Sequence, residues 1–213
     1  MTIGRFITFE GGEGAGKSTQ LRRLAPRLSA LGLEVVVTRE PGGSTGAEAI
    51  RELLVKGETD RWSPVTETLL MFAARRDHLE RVILPALERG ALVLCDRFID
   101  STRPYQGAGG GASEDLITSL ERHVVGAAIP DLTLILDLPV ESGLARAAGR
   151  GEGEARFEAK GWAFHQRLRA GFAAIAAAEP DRFRVVEASG SIEGVSERIY
   201  DLVRPVLPKL GRW

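Results

Sequence analysis

The fold is decided by residues 5–20, which read Arg5-Phe-Ile-Thr-Phe-Glu-Gly-Gly-Glu-Gly-Ala-Gly-Lys-Ser-Thr-Gln20. A short apolar run leads into a glycine-rich turn, and a polar segment then begins an amphipathic helix. The turn fits the phosphate-loop pattern G-x-x-x-x-G-K-S/T from Gly11 to Ser18. Because this pattern rarely falls between a strand and a helix by chance, the stretch predicts a nucleotide phosphate site.

The residue types of this loop suit phosphate binding for local physical reasons. Glycines let backbone N–H groups converge on an anion, and the N-terminus of the following helix adds a partial positive charge. We expect the Lys17 ammonium to reach the outer phosphates and the Ser18 hydroxyl to coordinate Mg²⁺. The predicted phosphate-binding residues are Gly11, Gly12, Glu13, Gly14, Ala15, Gly16, Lys17, Ser18 and Thr19.

The composition excludes several classes of protein. The 213 residues, 44% of them hydrophobic, suit one α/β domain with a sizeable core. The formal net charge of −1 gives no overall attraction to nucleic acid, and no apolar run reaches the ~18 residues of a membrane span. The first strand begins too early for a signal peptide, and the single cysteine, Cys95, fits a reducing compartment. We therefore expect a cytoplasmic protein that binds neither nucleic acid nor membrane.

Short apolar runs alternate with helical patterns along the whole chain. This alternation predicts an α/β fold with a five-stranded parallel sheet flanked by helices on both faces. The helical pattern over Thr66–Gly90 is long, and Pro85 is expected to kink or interrupt it. The predicted strands are Arg5–Glu10, Glu34–Thr38, Ala91–Cys95, Leu132–Leu138 and Arg182–Glu187.

Charged residues follow the predicted strands, where ligands of such sheets bind. Arg39-Glu40 follows the second strand, Asp96-Arg97 the third, and Asp137 lies at the end of the fourth. The segment Gly149–Glu158 is polar and glycine-rich and carries Arg150 and Arg156, as expected of a mobile loop that closes over phosphates. We therefore predict one domain over residues 1–213 with a short mobile lid at about residues 146–160.

The motifs separate phosphoryl transfer to a small acceptor from other phosphate-loop activities. A GTPase would need a guanine-binding Asn-Lys-x-Asp run, which the chain lacks, and motor ATPases often carry Asp-Glu where this chain has Asp96-Arg97. Arginines such as Arg51, Arg75 and Arg97 suit the phosphate of an acceptor nucleotide. A kinase is favoured, and a regulatory module that hydrolyses ATP slowly is the rival from another class.

Several longer runs identify a family. They are Phe-Ile-Thr-Phe-Glu-Gly-Gly-Glu-Gly-Ala-Gly-Lys-Ser-Thr (6–19), Thr-Arg-Glu-Pro-Gly-Gly (38–43), Leu-Leu-Met-Phe-Ala-Ala-Arg-Arg (69–76), Asp-Arg-Phe-Ile-Asp-Ser-Thr (96–102) and Tyr-Gln-Gly (105–107). In these runs, their order and their spacing, the chain resembles bacterial thymidylate kinases, members of the phosphate-loop nucleoside-monophosphate kinase superfamily. The resemblance covers nearly the whole chain.

The resemblance implies an activity and its requirements. Thymidylate kinases transfer the γ-phosphoryl group of ATP to dTMP, forming dTDP and ADP for dTTP biosynthesis, with Mg²⁺ as cofactor. The relatives of this chain in that family are homodimers. The resemblance therefore also implies a homodimer, with long helices packing across the interface. The same chemistry on dUMP or on a nucleoside is the nearest rival.

The resemblance also implies roles for individual residues. Arg51 and Arg97 correspond to clamps on the dTMP phosphate, and Arg75 and Gln106 to groups that hydrogen-bond thymine. The implied catalytic residues are Glu13, Lys17, Arg97, Arg150 and Arg156. The implied dTMP-binding residues are Glu40, Pro41, Arg51, Met71, Phe72, Arg75, Arg97, Thr102, Tyr105 and Gln106. The implied metal-binding residues are Ser18 and Asp96, the latter partly through water.

Three alternatives stay open at the level of sequence. Either Met71 or Phe72 forms the plate against thymine. Asp100 either contacts the acceptor sugar or caps a turn, and Asp137 either orients the lid or ligates the metal. The loop has Ala15 where one branch of the family carries its catalytic arginine, so the chain resembles the branch that supplies it from the lid. Arg156 matches that pattern better than Arg150.

Overall fold

The computed structural model describes residues 4–148 and 155–207. Within these ranges the chain forms a five-stranded sheet in the order β2-β3-β1-β4-β5, and every neighbouring pair is parallel. The predicted α/β fold is confirmed, and each predicted strand is correct to within one residue at either end. The strands are β1 (Arg5–Glu10), β2 (Val35–Arg39), β3 (Leu92–Asp96), β4 (Leu132–Asp137) and β5 (Phe183–Glu187).

Helices cover both faces of the sheet. Serine side chains start four of them, because Ser44, Ser63, Ser113 and Ser191 each accept a hydrogen bond from a backbone N–H three residues further on. The helices are α1 (Lys17–Ser29), α2 (Thr45–Val55), α3 (Pro64–His78), α4 (Leu84–Glu88), α5 (Glu114–Leu120), α6 (Val140–Ala148), α7 (Ala155–Glu158), α8 (Trp162–Ala178) and α9 (Ile192–Val203).

The long helix predicted over Thr66–Gly90 widens rather than breaks. A π-helical turn over Leu79–Ile83 joins α3 to α4, and the chain stays helical through Pro85 to Glu88. Proline has no N–H for the regular helical ladder, and a widened turn directly before it accommodates that loss. Two further wide turns occupy Arg103–Gly109 and Glu121–Val125.

The burial of the strands explains their apolar sequences. The three central strands are almost entirely buried, whereas the edge strands β2 and β5 carry partly exposed residues such as Val37 and Val185. One cluster packs the sheet against α1 and α9, with Leu28 and Ile199 at its centre. A second packs Phe6, with its neighbours on β3, against the long helix. Both faces are therefore shielded from water, as a parallel sheet requires.

Two glycines allow the phosphate loop to lie directly against α6. Gly14 has a φ of 69°, and a Cβ atom there would come within 1.9 Å of the Gly143 carbonyl oxygen. A Cβ atom on Gly143 would in turn come within 2.4 Å of the Glu13 carbonyl oxygen. Since both clashes involve backbone atoms, neither neighbour yields easily, and only glycine permits this approach.

Glu10 fixes the segment that follows β3. This last residue of β1 is fully buried, and its carboxyl group binds the Phe98 backbone N–H at 2.8 Å and the Ser101 hydroxyl at 2.5 Å. The segment begins with Arg97, whose φ of 66° lies in the left-handed region that non-glycine residues seldom adopt. Burial, reinforced by the charge of Asp100, raises the pKa of Glu10 to about 8 against the opposing charge of Arg97.

We predict that Glu10→Gln changes how stability depends on pH. In the unfolded chain Glu10 loses its proton near pH 4.5, whereas the folded chain keeps it until about pH 8. The Glu10 contribution to the free energy of unfolding is therefore complete below pH 4.5 and falls as the pH rises towards 8. Glutamine has the same shape and cannot ionise, so the variant should gain stability relative to the wild type across this window.

Urea denaturation of both proteins at several pH values measures this difference. A difference that stays constant between pH 4.5 and 8 would mean that Glu10 is ionised in the folded protein throughout.

Candidate active site

The phosphate loop holds its own lysine. The Lys17 ammonium is buried and donates to the carbonyl oxygens of Gly11 and Gly12 at 3.1 and 3.0 Å. The loop thereby curls around Lys17 at the carboxyl end of β1. To bind an outer phosphate, the ammonium would exchange these carbonyl oxygens for phosphate oxygens.

The two predicted metal-binding residues lie in direct contact. The Ser18 hydroxyl donates to the Asp96 carboxylate at 2.5 Å. One hydroxyl and one carboxylate are hard oxygen ligands that suit Mg²⁺, which typically takes its remaining ligands from water and substrate phosphates. Residues 4–148 and 155–207 hold no cluster of three or more His, Cys, Asp or Glu side chains that could form an all-protein metal cage. The donor set therefore fits Mg²⁺ carried in with a nucleotide.

A buried ion pair joins the phosphate loop to the segment after β3. Arg97 donates to the Glu13 carboxylate at 3.0 Å and to the Gly11 carbonyl oxygen at 2.9 Å. The Tyr105 hydroxyl donates to the same oxygen of Glu13 at 2.6 Å, and the Arg97 guanidinium lies 4.7 Å from the Tyr105 ring centre. Burial alone would raise the pKa of Glu13, but the charges of Arg97 and Lys17 and the Tyr105 hydrogen bond outweigh it and hold the pKa at about 2. Glu13 is thus an anion at neutral pH.

A pocket opens on the far side of Arg97 from the phosphate loop. It lies between α3, the segment after β3 and the wide turn Arg103–Gly109. The tertiary structure brings together most of the residues expected to bind the acceptor. Those that line the pocket are Glu40, Pro41, Met71, Arg75, Arg97, Thr102, Tyr105 and Gln106.

The structure places only one of the two candidates for the base plate at the pocket. Met71 lines the pocket, whereas Phe72 is only 2% exposed and packs in the core between the long helix and the sheet. Successive residues of a helix differ by about 100° in direction, so one of the two had to turn away. Phe72 therefore does not line this pocket, and contact of either side chain with thymine remains a prediction.

Arg51 lies outside the pocket lining. Its guanidinium donates to the carbonyl oxygen of Pro41, a residue that lines the pocket, at 2.7 Å. A contact between Arg51 and an acceptor phosphate remains a prediction.

Polar contacts hold Arg75 rigidly at the floor of the pocket. Its guanidinium donates to Glu40 at 2.7 Å, to Thr102 at 3.0 Å and to the Phe98 carbonyl oxygen at 3.1 Å. Glu40 is itself held by His78, whose Nδ1 lies 3.0 Å from the second carboxylate oxygen. Because all these side chains are buried, the network fixes the direction in which Arg75 presents its remaining donors.

The lid arginine Arg156 lies on the acceptor side of the site. Its guanidinium is ion-paired with Glu67 at 2.6 Å and donates to the carbonyl oxygens of Leu54, Glu58 and Thr59. A catalytic role for Arg156 requires it to leave these partners and remains a prediction. Arg150, the other predicted lid arginine, lies outside the described residues, as does lid segment 149–154.

Four pocket residues were missed by the analysis of the sequence. They are Val55, Phe98, Ser101 and Phe157. Phe98 and Ser101 lie one and four residues after Arg97, and this position just past a strand end is a signal in the sequence. Phe157 lies beside Arg156 and packs edge-on against Tyr105 at 5.8 Å between ring centres. Val55 gives no local signal, because it is an ordinary apolar residue at the end of α2.

The two aspartates with open roles bind arginines. Asp100 is buried and accepts from both terminal nitrogens of Arg182 at 2.6 and 2.9 Å and from Thr133 at 2.8 Å. It therefore ties the segment after β3 to the sheet, a role that neither alternative included. Asp137 pairs with Arg169 of α8 through two hydrogen bonds of 2.7 Å.

A second cleft lies on the opposite side of the phosphate loop. Gly14, Gly16 and Thr19 line it together with Arg146 of α6 and Gly190 in the turn after β5. The phosphate loop therefore lies between two recesses, and Arg97 and Glu13 mark the boundary with the acceptor side. Among the described residues, no helix is long and apolar enough to cross a membrane.

Comparisons with known proteins agree on one family. The sequence model described as thymidylate kinase matches residues 9–199. The chain is 68% identical over 203 residues to a thymidylate kinase of Caulobacter vibrioides, covering 95% of this chain and 97% of that protein. It is 54% identical over 203 residues to a thymidylate kinase of Bradyrhizobium sp. (strain ORS 278), covering 94% of this chain and 90% of that protein.

A solved structure gives the same result. The crystal structure of thymidylate kinase from Ehrlichia chaffeensis superposes with a TM-score of 0.77 at 34% sequence identity, covering 94% of this chain and 98% of that chain. The matches in sequence and in structure extend over almost the whole length of the protein. On this basis, the chain belongs to the thymidylate kinase family.

Proposed function

We propose that this protein is a thymidylate kinase that transfers the γ-phosphoryl group of ATP to dTMP, forming dTDP and ADP. The observation that carries the proposal is the position of the Glu13–Arg97 pair between the phosphate loop and a pocket for a flat, polar base. ATP bound on one side and dTMP bound on the other would bring their phosphates together at this pair. The family assignment supports the same reaction.

The donor side binds phosphate through main-chain and cationic groups. Backbone N–H groups of the loop and the N-terminus of α1 bind the phosphates, and Lys17 neutralises their outer oxygens. Ser18 and Asp96 would hold Mg²⁺. When bound, Mg²⁺ supplies neutralisation of the phosphate charge during transfer.

The acceptor side positions the nucleophile. The phosphate of dTMP carries its own ionised oxygen at neutral pH, so the reaction needs no strong protein base. Arg97 is well placed to bind that phosphate, because Glu13 and the Gly11 carbonyl oxygen already hold its guanidinium at the boundary between the two recesses. Catalysis then depends mainly on positioning and on charge neutralisation.

The base pocket combines an apolar plate with polar groups. Met71 and Phe98 supply apolar surface, and Arg75 and Gln106 supply hydrogen-bonding groups for thymine. Tyr105, held by Glu13, lies between this pocket and the phosphate loop and so borders the expected position of the sugar. Arg51, Arg150 and Arg156 keep their predicted roles as proposals, as does the division into a single domain with a lid at about residues 146–160.

The proposed function predicts that release of ADP depends on dTMP. With Mg-ATP present, dTMP should stimulate ADP release strongly, and dUMP, dCMP, dGMP and dAMP less. A coupled spectrophotometric assay over this panel measures it, and Lys17→Met is the control because it lacks the ammonium. That variant should lose at least about a hundredfold in rate. Equal rates with and without dTMP would exclude the kinase and favour a slow ATPase.

The lid arginine yields a second prediction. Arg156→Ala should lower kcat by about a thousandfold, with a much smaller change in the dTMP KM, if the guanidinium neutralises charge in the transition state. Steady-state kinetics at saturating ATP separate the two constants. Arg156→Lys retains the charge without the planar fork and should recover part of kcat. A change confined to KM would show that Arg156 only binds substrate or supports the pocket.

We also propose that the protein is a cytoplasmic homodimer. On α3, Val65 and Leu69 are 50% and 47% exposed and lie one helical turn apart on the same face. Burying this face against a second copy would remove both side chains from water. Sedimentation velocity at micromolar concentration should give the mass of a dimer, and Leu69→Glu should shift it to the monomer. A wild-type monomer at these concentrations contradicts the proposal.

A further inference from the structure

The carboxylate of Glu67 contacts the side-chain amide of Gln106, which lines the pocket. Both residues are buried, Glu67 at 4% and Gln106 at 2% exposure. The Gln106 amide nitrogen donates to one oxygen of Glu67 at 3.0 Å. The other oxygen of Glu67 is ion-paired with Arg156 at 2.6 Å. One carboxylate thus contacts both a base-binding residue and an arginine of the lid.

The ion pair decides which way the amide faces. A carboxylate paired with a guanidinium only accepts hydrogen bonds, so Gln106 has to turn its NH₂ group towards Glu67. Glu67 cannot easily rotate away, because three backbone carbonyl oxygens hold the guanidinium of Arg156 as well. Gln106 lines the pocket, and the group left for a ligand is its carbonyl oxygen, which is an acceptor.

A hydrogen-bond acceptor at this position discriminates between pyrimidine bases. Thymine and uracil carry an N–H group at N3, which can donate to the Gln106 oxygen. Cytosine has a lone pair at N3 and an amino group at C4, so it would set a lone pair against this oxygen. Arg75 offers only donors, which suit the O4 carbonyl of thymine and oppose the amino group of cytosine.

We propose that Glu67 is a positioning residue that sets base specificity. By orienting the Gln106 amide, it selects nucleotides whose base carries an N3–H group, thymine or uracil, against those that carry cytosine. The inference rests on the proposed function and adds to it the origin of the specificity. Without the negative charge, the amide could rotate by 180° and offer its NH₂ group to N3 of cytosine. Leaving a buried donor or acceptor unpaired is costly, so the orientation has a measurable effect.

The test is the ratio of kcat/KM for dTMP to kcat/KM for dCMP. In Glu67→Gln the new amide can donate or accept, so Gln106 is free to take either orientation. The ratio should fall by about tenfold or more, the size expected for one reversed hydrogen bond in a buried site. A loss of kcat caused by disturbing Arg156 affects both substrates equally and cancels in the ratio. Arg156→Lys is the matched control, because it disturbs the lid arginine but keeps a cation beside Glu67, so the carboxylate stays an acceptor and the ratio should be unchanged.

A double-mutant cycle tests whether Glu67 acts through Gln106. In a Gln106→Ala background, Glu67→Gln should no longer change the ratio, because the oriented amide is absent. If Glu67→Gln fails to fold because it leaves Arg156 as a buried unpaired cation, the double variant Glu67→Gln/Arg156→Gln removes both charges. Its ratio is then compared with that of the wild type, and the same tenfold fall is expected.

The outcomes separate this inference from the proposed function. A wild type without dTMP-dependent ADP release would overturn the function itself. A wild type that is active on dTMP but equally active on dCMP would overturn the inference alone. So would an unchanged ratio in Glu67→Gln, or an equal fall in Arg156→Lys.

Discussion

The ion pair between Glu13 and Arg97 is the interaction on which the rest of the site depends. The side chains are 7% and 9% exposed, so each charge would be costly to bury without the other. Glu13 belongs to the phosphate loop and Arg97 to the segment after β3, so pairing them fixes the distance between the two recesses. The Tyr105 hydroxyl extends this anchor into the acceptor pocket. A reaction that requires in-line contact between two nucleotides needs such a fixed distance.

Backbone constraints hold the partners of this pair in place. Glu10 binds the segment that carries Arg97, and Gly143 lets α6 press against the backbone of Glu13. In the pocket wall, Glu40 holds Arg75, and His78 in turn holds Glu40. Buried polar networks of this kind are rigid when every member has a partner, and a rigid wall is what selection among similar bases requires.

The acceptor side also contains the lid residues Arg156 and Phe157. Phe157 lines the pocket against Tyr105, while Arg156 is anchored to Glu67 and to backbone carbonyl oxygens at the end of α2 and just after it. The short helix α7 therefore contacts groups that line or border the pocket. Phe157 is thus part of the pocket wall, and Arg156 shares the carboxylate of Glu67 with Gln106 of the same wall.

The sequence by itself determined the α/β fold, the five strands, the phosphate-loop motif and most of the residues that line the pocket. These features depend on local patterns, because parallel strands bring their carboxyl ends to one edge whatever the packing around them. Only the tertiary structure decided that Met71 rather than Phe72 faces the pocket, since that choice depends on how α3 is rotated against the sheet. It alone also revealed the roles of Glu10 and Glu67. Their hydrogen-bond partners lie 88 and 39 residues away along the chain, and the residues next to them in sequence give no sign of these contacts. Long-range hydrogen bonding of buried polar groups is set by the packed fold, and no local periodicity encodes it.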